Sequence, residues 1–320
     1  MSNDYKCTTI DNLKDKSSNS KLKDKCSDSS RNSRNNSNRR RSTGRHRRGG
    51  KRKSANYNNT YVKMAFNNVN HIKPSMYEIP KFLKKEEIKV MGFVETWLEY
   101  NENIKVDGFQ WVGKNRQKKG GGGVGFLVSD IFDITDDNLL NSNDDDYERL
   151  WIKVRFGENM FTNLAVAYFP VEGTNTDLTD ELYNQLLAEV IQIEESTEGN
   201  EHVLIMGDFN GRIGDRIPYG DPVCNVNGMK FLDFCNDVNM SIFNCSRKCQ
   251  GKITWFRNNL SSTIDYIIGN DKTENCLNSM MVDEDRNLNL GSDHNMIILN
   301  MVFNNKFVKR NVRNDNDRII

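Results

Sequence analysis

Residues 203–215 of this 320-residue chain read VLIMGDFNGRIGD, an apolar run that ends in glycine and polar residues. Apolar runs of about four to eight residues bounded by turn residues are typical of buried strands. Turn chemistry alone could explain the polar residues. However, Phe209 separates Asp208 from Asn210, and side chains alternate between the two faces of an extended chain. The stretch therefore predicts a strand that presents two polar side chains on the side opposite the phenyl ring.

Seven further apolar runs of strand length occur on either side of this stretch, with turn residues between them. They are YVKMAF (61–66), IKVMGFV (88–94), GVGFLVS (123–129), LWIKVRF (150–156), FTNLAVAYF (161–169), IDYIIG (264–269) and MIILNMVF (296–303). Helical periodicity predicts one helix over Asp177–Ile193 and a second over Met229–Val238. Because most strands follow one another without a helix between them, the pattern favours an α/β fold with two packed sheets flanked by helices.

Charge is distributed unequally along the chain. Residues 1–60 contain 17 Lys and Arg against 5 Asp and Glu, whereas the remainder contains 28 against 39. The first segment offers almost no apolar surface to bury and is predicted to be a disordered basic arm. For its most basic stretch, which begins with Arg39, Arg40 and Arg41, nucleic-acid binding, nuclear targeting and a solubilising linker are the alternatives. The acidic remainder suggests carboxylates that meet a cation such as a metal ion.

The globular domain is predicted over residues 61–304, followed by a polar tail over residues 305–320. The first residues lack the apolar run of a secretory signal, and no stretch reaches the roughly 20 apolar residues needed to cross a bilayer. Seven scattered cysteines indicate reduced thiols rather than a disulfide framework. We therefore expect an intracellular protein, nuclear or cytoplasmic, that is not secreted, does not enter a membrane and is a monomer without a protein partner.

One carboxylate interrupts an otherwise apolar strand. Asp265 lies among Ile264, Tyr266 and Ile267, and a buried carboxylate needs a cationic or hydrogen-bonding partner. His294, which follows Asp293 and precedes the last apolar run, is the obvious candidate. An Asp placed against a His fixes the tautomer of the imidazole and raises its basicity. The pattern predicts an Asp–His pair for proton transfer or phosphate binding.

Other candidates lie at strand ends, where a rigid scaffold can hold side chains in a shared cleft. Taken singly, each has an ordinary structural explanation: Asn68 as a turn residue, Glu95 as a helix N-terminal charge and Tyr168 as a core aromatic. Trp255 is either a core residue or part of a nucleic-acid groove. Gly120–Gly123 precede a strand and not a helix, which indicates a turn rather than a phosphate-binding loop.

In chain order, six motifs resemble those of the endonuclease/exonuclease/phosphatase superfamily. They are Asn68-Val-Asn, Glu95-Thr-Trp-Leu, Tyr168-Phe-Pro, Gly207-Asp-Phe-Asn, Ile264-Asp-Tyr-Ile and Ser292-Asp-His. Finer features are similar to the AP-endonuclease-like domains of non-LTR retrotransposons and to craniofacial-development-protein-like chains. These features are Gly121-Gly-Gly-Val-Gly-Phe, Glu148-Arg-Leu-Trp, Asn227-Gly-Met-Lys-Phe-Leu-Asp-Phe-Cys and Thr254-Trp. Three departures flank the motifs and concern substrate fit more than chemistry: His71 stands in place of Gly, Val94 in place of Gln and Gly211 in place of Ala.

The resemblance implies a four-layered α/β sandwich whose two packed sheets are mostly antiparallel. It also implies a retrotransposon-derived endonuclease that hydrolyses DNA, with RNA as an alternative, and leaves 3′-hydroxyl and 5′-phosphate ends. Because no reverse transcriptase follows the last predicted strand, a host gene, a truncated element and an incomplete gene model are open alternatives for its origin.

The implied cofactor is Mg²⁺ or Mn²⁺, bound by Glu95 with Asn68 and Asp293. The implied catalytic residues are Tyr168, Asp208, Asn210, Asp265 and His294. In this scheme Asp208 orients or deprotonates water, while Asn210 and Tyr168 donate hydrogen bonds to phosphate oxygens. His294, held by Asp265, contacts the scissile phosphate. The proton carrier stays open among Asp208, Tyr168 and the Asp265–His294 pair, and Trp255 and the arm are the predicted nucleic-acid contacts.

Two other functions remain as alternatives. One is a phosphatase of the same superfamily that acts on phosphoinositides or other phosphoesters. The basic arm and the lack of a histidine near Tyr168 argue against this alternative. The other is a catalytically silent nucleic-acid-binding protein, against which the complete set of predicted ligands argues.

Overall fold

A computed structural model describes residues 58–117, 120–135, 140–141, 144–158, 160–174 and 176–305. Most of the predicted basic arm, including Arg39, Arg40 and Arg41, lies outside the described residues, as do residues 306–320 of the predicted polar tail. The first strand begins at Asn58 and the last ends at Asn305, so both strands extend slightly beyond the predicted domain limits of 61 and 304.

The described residues form fifteen strands and four α-helices. The strands are β1 (Asn58–Asn68), β2 (Val90–Val94), β3 (Phe109–Lys114), β4 (Val124–Ser129), β5 (Asp133–Thr135), β6 (Arg149–Gly157), β7 (Met160–Tyr168), β8 (His202–Asp208), β9 (Ser241–Ile242), β10 (Cys249–Gln250), β11 (Trp255–Arg257), β12 (Leu260–Ser262), β13 (Asp265–Gly269), β14 (Leu277–Val282) and β15 (Ile297–Asn305). The helices are α1 (Ile79–Lys85), α2 (Thr176–Ser196), α3 (Val226–Asp237) and α4 (Asp271–Glu274).

The strands form two large sheets in which antiparallel pairs predominate. One sheet has the order β10-β14-β15-β1-β2-β4-β3, with parallel pairing at β1–β2 and β10–β14. The other has the order β5-β6-β7-β8-β13-β9, with parallel pairing at β7–β8. Strands β11 and β12 form a separate two-stranded ribbon. The predicted preponderance of antiparallel pairing is thereby confirmed.

The inner layer of apolar side chains lies between the two sheets. Val62 and Phe66 of β1 belong to the same buried cluster as Val166 of β7, Met206 of β8 and Ile267 of β13. Alternate residues of these strands face the opposite side, because side chains alternate along an extended chain. Strands β2 and β4 are buried at every position, which explains why they read as continuous apolar runs.

Helices cover the outer face of each sheet. Leu83 of α1 packs in one cluster with Phe93 of β2. On the other sheet, Leu186 of α2 and Phe231 of α3 share a cluster with Ile205 of β8. The order is therefore helix, sheet, sheet, helix, and the predicted four-layered sandwich is confirmed. No helix among the described residues is long and apolar enough to span a membrane.

Both predicted helices are present, with one displaced start. Helix α3 begins at Val226, three residues before the predicted Met229. Its N-cap is Asn225, whose side chain accepts a hydrogen bond from the backbone N–H of Gly228 at 2.8 Å. Asn is among the best N-cap residues because its side-chain oxygen satisfies a free N–H of the first turn. This capping signal marks the start better than the apolar periodicity does.

Strand register brings the ends of five strands to one edge of the sandwich. In the first sheet, β1 and β2 run parallel with Asn68 opposite Val94. In the second, β7 and β8 run parallel with Tyr168 opposite Asp208, and the antiparallel strand β13 starts with Asp265 opposite Asp208. Polar residues that are far apart in the chain therefore meet at this edge.

Candidate active site

The side chain of Asn68 joins two carboxylates from different sheets. It is fully buried at the end of β1, and its Nδ2 donates hydrogen bonds of 2.9 Å to Oε1 of Glu95 and 2.9 Å to Oδ2 of Asp208. The two acceptor oxygens therefore lie at most twice that distance apart. The other end of the amide, Oδ1, accepts the backbone N–H of Asn70 at 3.0 Å. Asn68 thus presents its N–H groups, and not its oxygen, to Glu95 and Asp208.

Glu95 follows β2 and lies next to Tyr168. Its backbone is in the left-handed region with φ of 52°, and its carbonyl accepts the N–H of His71 at 2.9 Å. Burial raises the pKa of the Tyr168 phenol well above its usual range, and the charges of Glu95 and Asp208 raise it further. Tyr168 therefore stays protonated, as a hydrogen-bond donor requires.

Asp208 ends β8 and is almost fully buried. Its Oδ1 accepts the backbone N–H of Asn210 at 3.0 Å. Burial raises the pKa of the Asp208 carboxyl, and the neighbouring Asp265 raises it further, although His294 and Asn68 oppose the shift. A carboxyl with a raised pKa can accept and release a proton nearer neutral pH than a free one.

The two residues after Asp208 differ in their surroundings. The ring of Phe209 is fully buried beneath the helices, where it stacks on Phe169 at a centroid distance of 5.1 Å. Asn210 has a φ of 46°, and its Nδ2 donates to the carbonyl of Phe169 at 2.9 Å. Asp208 and Phe209 thus take opposite sides, as the sequence predicts. The amide nitrogen of Asn210, however, is already bonded to the backbone.

Asp265 and His294 form a buried pair. Nδ1 of His294 lies 2.9 Å from Oδ2 and 3.1 Å from Oδ1 of Asp265. The N–H groups of Ile264 and Asp265 both donate to Oγ1 of Thr254 at 3.0 Å, which fixes the backbone at the start of β13. Nε2 of His294, the other ring nitrogen, lies 3.9 Å from Oδ2 of Asp208.

The charge state of His294 is set by two opposing effects. Burial of the imidazole disfavours its protonated form, but the charge and hydrogen bond of Asp265, together with Asp208 and Asp293, outweigh burial and raise the pKa of His294 to about 9. The protonated ring has N–H groups at both nitrogens. It can donate one to Asp265 and the other to a negatively charged oxygen in the site.

Ser292 and Asn67, which have no role in the sequence-based scheme, connect these segments. Oγ of Ser292 donates to the carbonyl of Asn68 at 2.6 Å and accepts the N–H of His294 at 3.0 Å. Nδ2 of Asn67 donates to the carbonyl of His294 at 3.3 Å. The Ser-Asp-His motif contains Ser292, but nothing in its spacing indicates that its hydroxyl links β1 to the segment before β15.

Asp293 and Trp255 lie at the rim of the site. Oδ1 of Asp293 accepts from Nδ2 of Asn70 at 3.3 Å, and its Oδ2 accepts from Nε1 of Trp255 at 3.1 Å. Trp255 is half-buried and begins the ribbon β11–β12, which exposes the large apolar side chains of Phe256 and Leu260. Trp255 therefore belongs to the wall of the site and not to the core.

Arg116 is a cation beside the site that the sequence-based scheme does not include. It forms an ion pair with the buried carboxylate of Glu148, whose Oε2 also accepts the N–H of Gly123 at 2.7 Å. Arg116 and Glu148 line one cleft with Tyr168 and Pro170. The cleft therefore extends from the phenol of Tyr168 to a guanidinium group.

The donor atoms of the site suit a hard divalent cation. The site contains four carboxylates, those of Glu95, Asp208, Asp265 and Asp293. Among the described residues, the imidazole of His294 is the one cationic group within ion-pair distance of any of them, and it pairs with Asp208 and Asp265. A negative excess of carboxylates is the environment that Mg²⁺ or Mn²⁺ neutralises, and both ions prefer oxygen ligands. Ligation by Oδ1 of Asn68 requires its amide to turn over, whereas Glu95 already presents a half-buried carboxylate.

A second grouping of possible metal ligands overlaps the first. Ligand atoms of Asp208, Asp265 and His294 lie within 4.8 Å of one another. However, both oxygens of Asp265 lie within hydrogen-bond distance of the His294 ring, and this pairing suits proton handling better than ligation. Asp208 and Asp265 belong to both groupings, but both oxygens of Asp265 face the imidazole.

Most of the predicted site residues converge in the structure. Asn68, Glu95, Tyr168, Asp208, Asp265 and His294 meet at one edge of the sandwich, whereas the amide of Asn210 donates to the backbone carbonyl of Phe169. Asp293 and Trp255 form part of the rim. The basic residues Arg39, Arg40 and Arg41 cannot be placed relative to the site, since they lie outside the described residues.

A family model described as "Endonuclease-reverse transcriptase" matches residues 164–298. The match includes Tyr168, Asp208, Asp265 and His294, whereas Asn68 and Glu95 lie before it. No curated protein matches the chain in sequence.

Several solved structures share the fold. The endonuclease domain of TRAS1, a telomere-specific non-LTR retrotransposon, is 16% identical with a TM-score of 0.59, over 75% of this chain and 98% of that domain. The AP endonuclease LMAP from Leishmania major is 14% identical with a TM-score of 0.61, over 76% and 88% of the two chains. The 3′-5′ exonuclease NExo from Neisseria meningitidis is 17% identical with a TM-score of 0.57, over 75% and 99%. At these identities the likeness establishes the fold.

Proposed function

We propose that this chain, which shares the fold and the ordered motifs of the endonuclease/exonuclease/phosphatase superfamily, is a divalent-metal-dependent endonuclease that hydrolyses phosphodiester bonds of DNA. The superfamily resemblance is confirmed by the family match and the solved structures together, and its members hydrolyse phosphoester bonds. The observation that supports the proposal best concerns the amide of Asn68. Its Nδ2 donates a hydrogen bond of 2.9 Å to Glu95 and another of 2.9 Å to Asp208, which holds the two carboxylates close to each other. The imidazole of His294, oriented by Asp265, lies beside Asp208.

The proposed reaction needs a nucleophile, a place for developing negative charge and a proton for the leaving group. A bound Mg²⁺ or Mn²⁺, held by Glu95 with Asn68 and Asp293 as further ligands, would supply positive charge to the phosphate oxygens. The remaining tasks fall to side chains of the chain itself.

Asp208 orients a water molecule and accepts its proton, since its carboxylate is buried and its pKa is raised by burial and by Asp265. The water oxygen bonds to phosphorus, and the bond from phosphorus to the 3′-oxygen breaks. The 3′-oxygen then takes a proton and leaves as a 3′-hydroxyl, while the phosphate stays on the 5′ end. The donor of that proton is one of the acids at the site, for which Tyr168 and the Asp265–His294 pair are the candidates.

His294 and Tyr168 stabilise the phosphate during this step. Protonated His294 can donate from Nε2 to a phosphate oxygen while Asp265 holds Nδ1. The phenol of Tyr168 keeps its proton and can donate a second hydrogen bond. Such donors are effective in a buried site because water does not compete with them.

The substrate and the origin are parts of the same proposal. The basic arm, with Arg39, Arg40 and Arg41, supplies positive charge for a nucleic-acid backbone, and Trp255 lies where it can contact a strand at the rim. The names of the TRAS1 domain and of the matching family favour a retrotransposon origin. We propose action on DNA by a monomer in the nucleus or the cytoplasm, with RNA as the alternative substrate.

Plasmid nicking tests the proposal. Supercoiled plasmid incubated with the full chain should be nicked with Mg²⁺ and not with EDTA. Asp208→Ala and His294→Ala should each reduce the rate by at least about 100-fold, the scale for losing a general acid–base group. Asp237→Ala, which removes an exposed carboxylate at the end of α3, is the control.

Three other outcomes would contradict the proposal. Near-wild-type nicking by both active-site variants would show that Asp208 and His294 take no part in the reaction. Release of inorganic phosphate from inositol phosphates without nicking would favour the phosphatase alternative. Plasmid binding without any Mg²⁺-dependent cleavage would favour a silent nucleic-acid-binding protein.

A further inference from the structure

Two aromatic rings stack on each other beside the candidate active site. The rings of His71 and Trp97 have centroids 5.6 Å apart and planes inclined by 20°. Trp97 is 42% exposed, and His71 is half-buried. Neither ring belongs to the buried clusters of the described residues. The two rings therefore present a partly exposed aromatic surface beside the candidate site.

The backbone holds both rings in place. The N–H of His71 donates to the carbonyl of Glu95 at 2.9 Å, and the N–H of Ile72 donates to that of Thr96 at 3.0 Å. On the other side, the N–H of Thr96 donates to the carbonyl of Gly123 at 3.1 Å, and the N–H of Trp97 donates to the carbonyl of Gly122 at 2.7 Å. The segment with Trp97 therefore lies between two others, bonded to each. A ring on such a backbone loses little conformational entropy when it contacts a ligand.

Gly121, in the glycine run that precedes β4, lies within van der Waals range of the indole. A Cβ added at Gly121, whose φ is +77°, would lie 3.8 Å from Nε1 of Trp97. His71 and Trp97 themselves have positive φ values of 85° and 54°. Non-glycine residues adopt this backbone conformation at a cost, and eleven described residues do so, among them Glu95 and Asn210 at the candidate site. The hydrogen bonds of the two segments therefore hold His71 and Trp97 in a backbone conformation that non-glycine residues rarely adopt.

The stack lies close in the chain to Glu95, the proposed metal ligand. Trp97 follows Glu95 by two residues, so their Cα atoms are at most about 7 Å apart. The base of a nucleotide is separated from its phosphate by one sugar. A strand with a phosphate near Glu95 can therefore place a neighbouring base at the level of Trp97.

We propose that His71 and Trp97 form a stacking platform for one unpaired nucleobase of a nucleic-acid strand, next to the phosphate that is cleaved. This inference rests on the proposed function, because it takes the strand to lie across Glu95. All bases have an aromatic face, so the platform accepts any base with modest preference. In a duplex, neighbouring bases already cover both faces, so the ligand is a base that is single-stranded, looped out or flipped from the helix.

The test measures the coupling between one ring and one base. The full chain is titrated, in EDTA and at fixed salt, into fluorescein-labelled single-stranded oligonucleotides, and binding is followed by anisotropy. One oligonucleotide is intact, and a second of the same length carries the sugar–phosphate backbone without any bases. Trp97→Ala should weaken binding of the intact strand by about 5- to 150-fold, the range for loss of one base–aromatic stack. With the strand without bases, wild type and Trp97→Ala should bind equally.

Two further variants make the result specific. Trp97→Phe keeps an aromatic face and should retain most of the affinity. Tyr219→Ala removes an aromatic ring that is fully exposed and should leave binding unchanged. Circular dichroism shows whether each variant is folded. Because Trp97 is partly exposed and outside the buried clusters, its replacement should leave the protein folded.

The inference is overturned if Trp97→Ala binds the intact strand as tightly as wild type does. It is also overturned if Trp97→Ala weakens binding of the strand without bases by the same factor as binding of the intact strand, because the contact would then be to the sugar–phosphate backbone. Nicking of plasmid with Mg²⁺ is measured separately. Absence of nicking would overturn the proposed function, while the coupling measured in EDTA would still decide whether the platform exists.

Discussion

Nδ1 of His294 lies 2.9 Å from Oδ2 of Asp265, and both side chains are almost fully buried. The pair joins the start of β13 to the segment before β15. Because Asp265 accepts from Nδ1, the opposite nitrogen, Nε2, is the one presented to Asp208 and to any phosphate in the site. The orientation of the imidazole is thus set by a carboxylate that need not touch the substrate.

Replacement of that carboxylate tests its positioning role. Asp265→Asn removes the negative charge that raises the pKa of His294 to about 9, so the pKa should fall towards the ordinary value of 6.5. Nicking should fall by about 100- to 10,000-fold, because the ring is no longer held in one tautomer. NMR titration of the His294 ring and the nicking rate measure the two effects. Asp271→Asn on α4 is the control, and an unchanged pKa in Asp265→Asn would contradict the assignment.

Glu95 is predicted to control metal dependence. Glu95→Gln keeps the size of the side chain but removes its charge, and a divalent cation binds a neutral amide oxygen more weakly than a carboxylate. The Mg²⁺ concentration for half-maximal nicking should rise by at least about 10-fold. Glu99→Gln, which changes an exposed glutamate four residues along the chain, is the matched control. Identical Mg²⁺ curves for Glu95→Gln and wild type would exclude Glu95 as a ligand.

The two hydrogen bonds of Asn68 predict a metal-dependent stability effect. Asn68→Asp places a third carboxylate between Glu95 and Asp208, where Nδ2 now donates to both. Repulsion among the carboxylates should lower the free energy of unfolding by about 1–3 kcal/mol in EDTA. Mg²⁺ should recover part of this loss, since a ligand that binds the folded state stabilises it.

Urea unfolding with and without Mg²⁺ measures the stability of Asn68→Asp. Asn300→Asp on β15, where the amide donates to the hydroxyl of Ser279, adds the same charge away from the carboxylates and is the control. Equal destabilisation of Asn68→Asp in EDTA and in Mg²⁺ would argue against a cation at this position.

The metal-free protein should lose stability as pH rises. The pKa of His294 is raised to about 9 in the folded protein, above its ordinary value of 6.5, so its stabilising contribution is complete below pH 6.5 and is lost as pH rises through 9. The raised pKa of Asp208 acts in the same direction. In EDTA, the free energy of unfolding should therefore fall between pH 6.5 and 9.

Comparison with a variant separates His294 from other titrating groups. His294→Gln removes the raised pKa and should make the fall in unfolding free energy smaller over the same pH range. Urea unfolding at pH 6.5, 7.5 and 9 in EDTA measures the slope. If the slopes of the two proteins coincide, the protonation of His294 is not linked to folding.

Much of the fold follows from local patterns in the sequence. The apolar runs that become β1, β2, β7, β8 and β13 are bounded by turn residues, so neighbouring residues alone indicate where strands begin and end. Apolar periodicity alone placed the start of α3 three residues too late. The N-cap residue Asn225 marks where this helix begins. Likewise, Asp265 is conspicuous because a carboxylate among isoleucines needs a partner, and His294 is the partner that the structure gives it.

By itself, the sequence determined the strands, the two main helices, the layered fold and the polar residues at strand ends, since periodicity, capping and turn chemistry are local. Only the tertiary structure decided what those residues touch. The hydroxyl of Ser292 bonds to the carbonyl of Asn68 across 224 positions of the chain, and the amide of Asn68 turns its N–H groups to two carboxylates. The stack of His71 on Trp97 likewise depends on the parallel pairing of β1 with β2. Contacts of this kind arise from sheet register and side-chain rotamers, which no short stretch of sequence specifies.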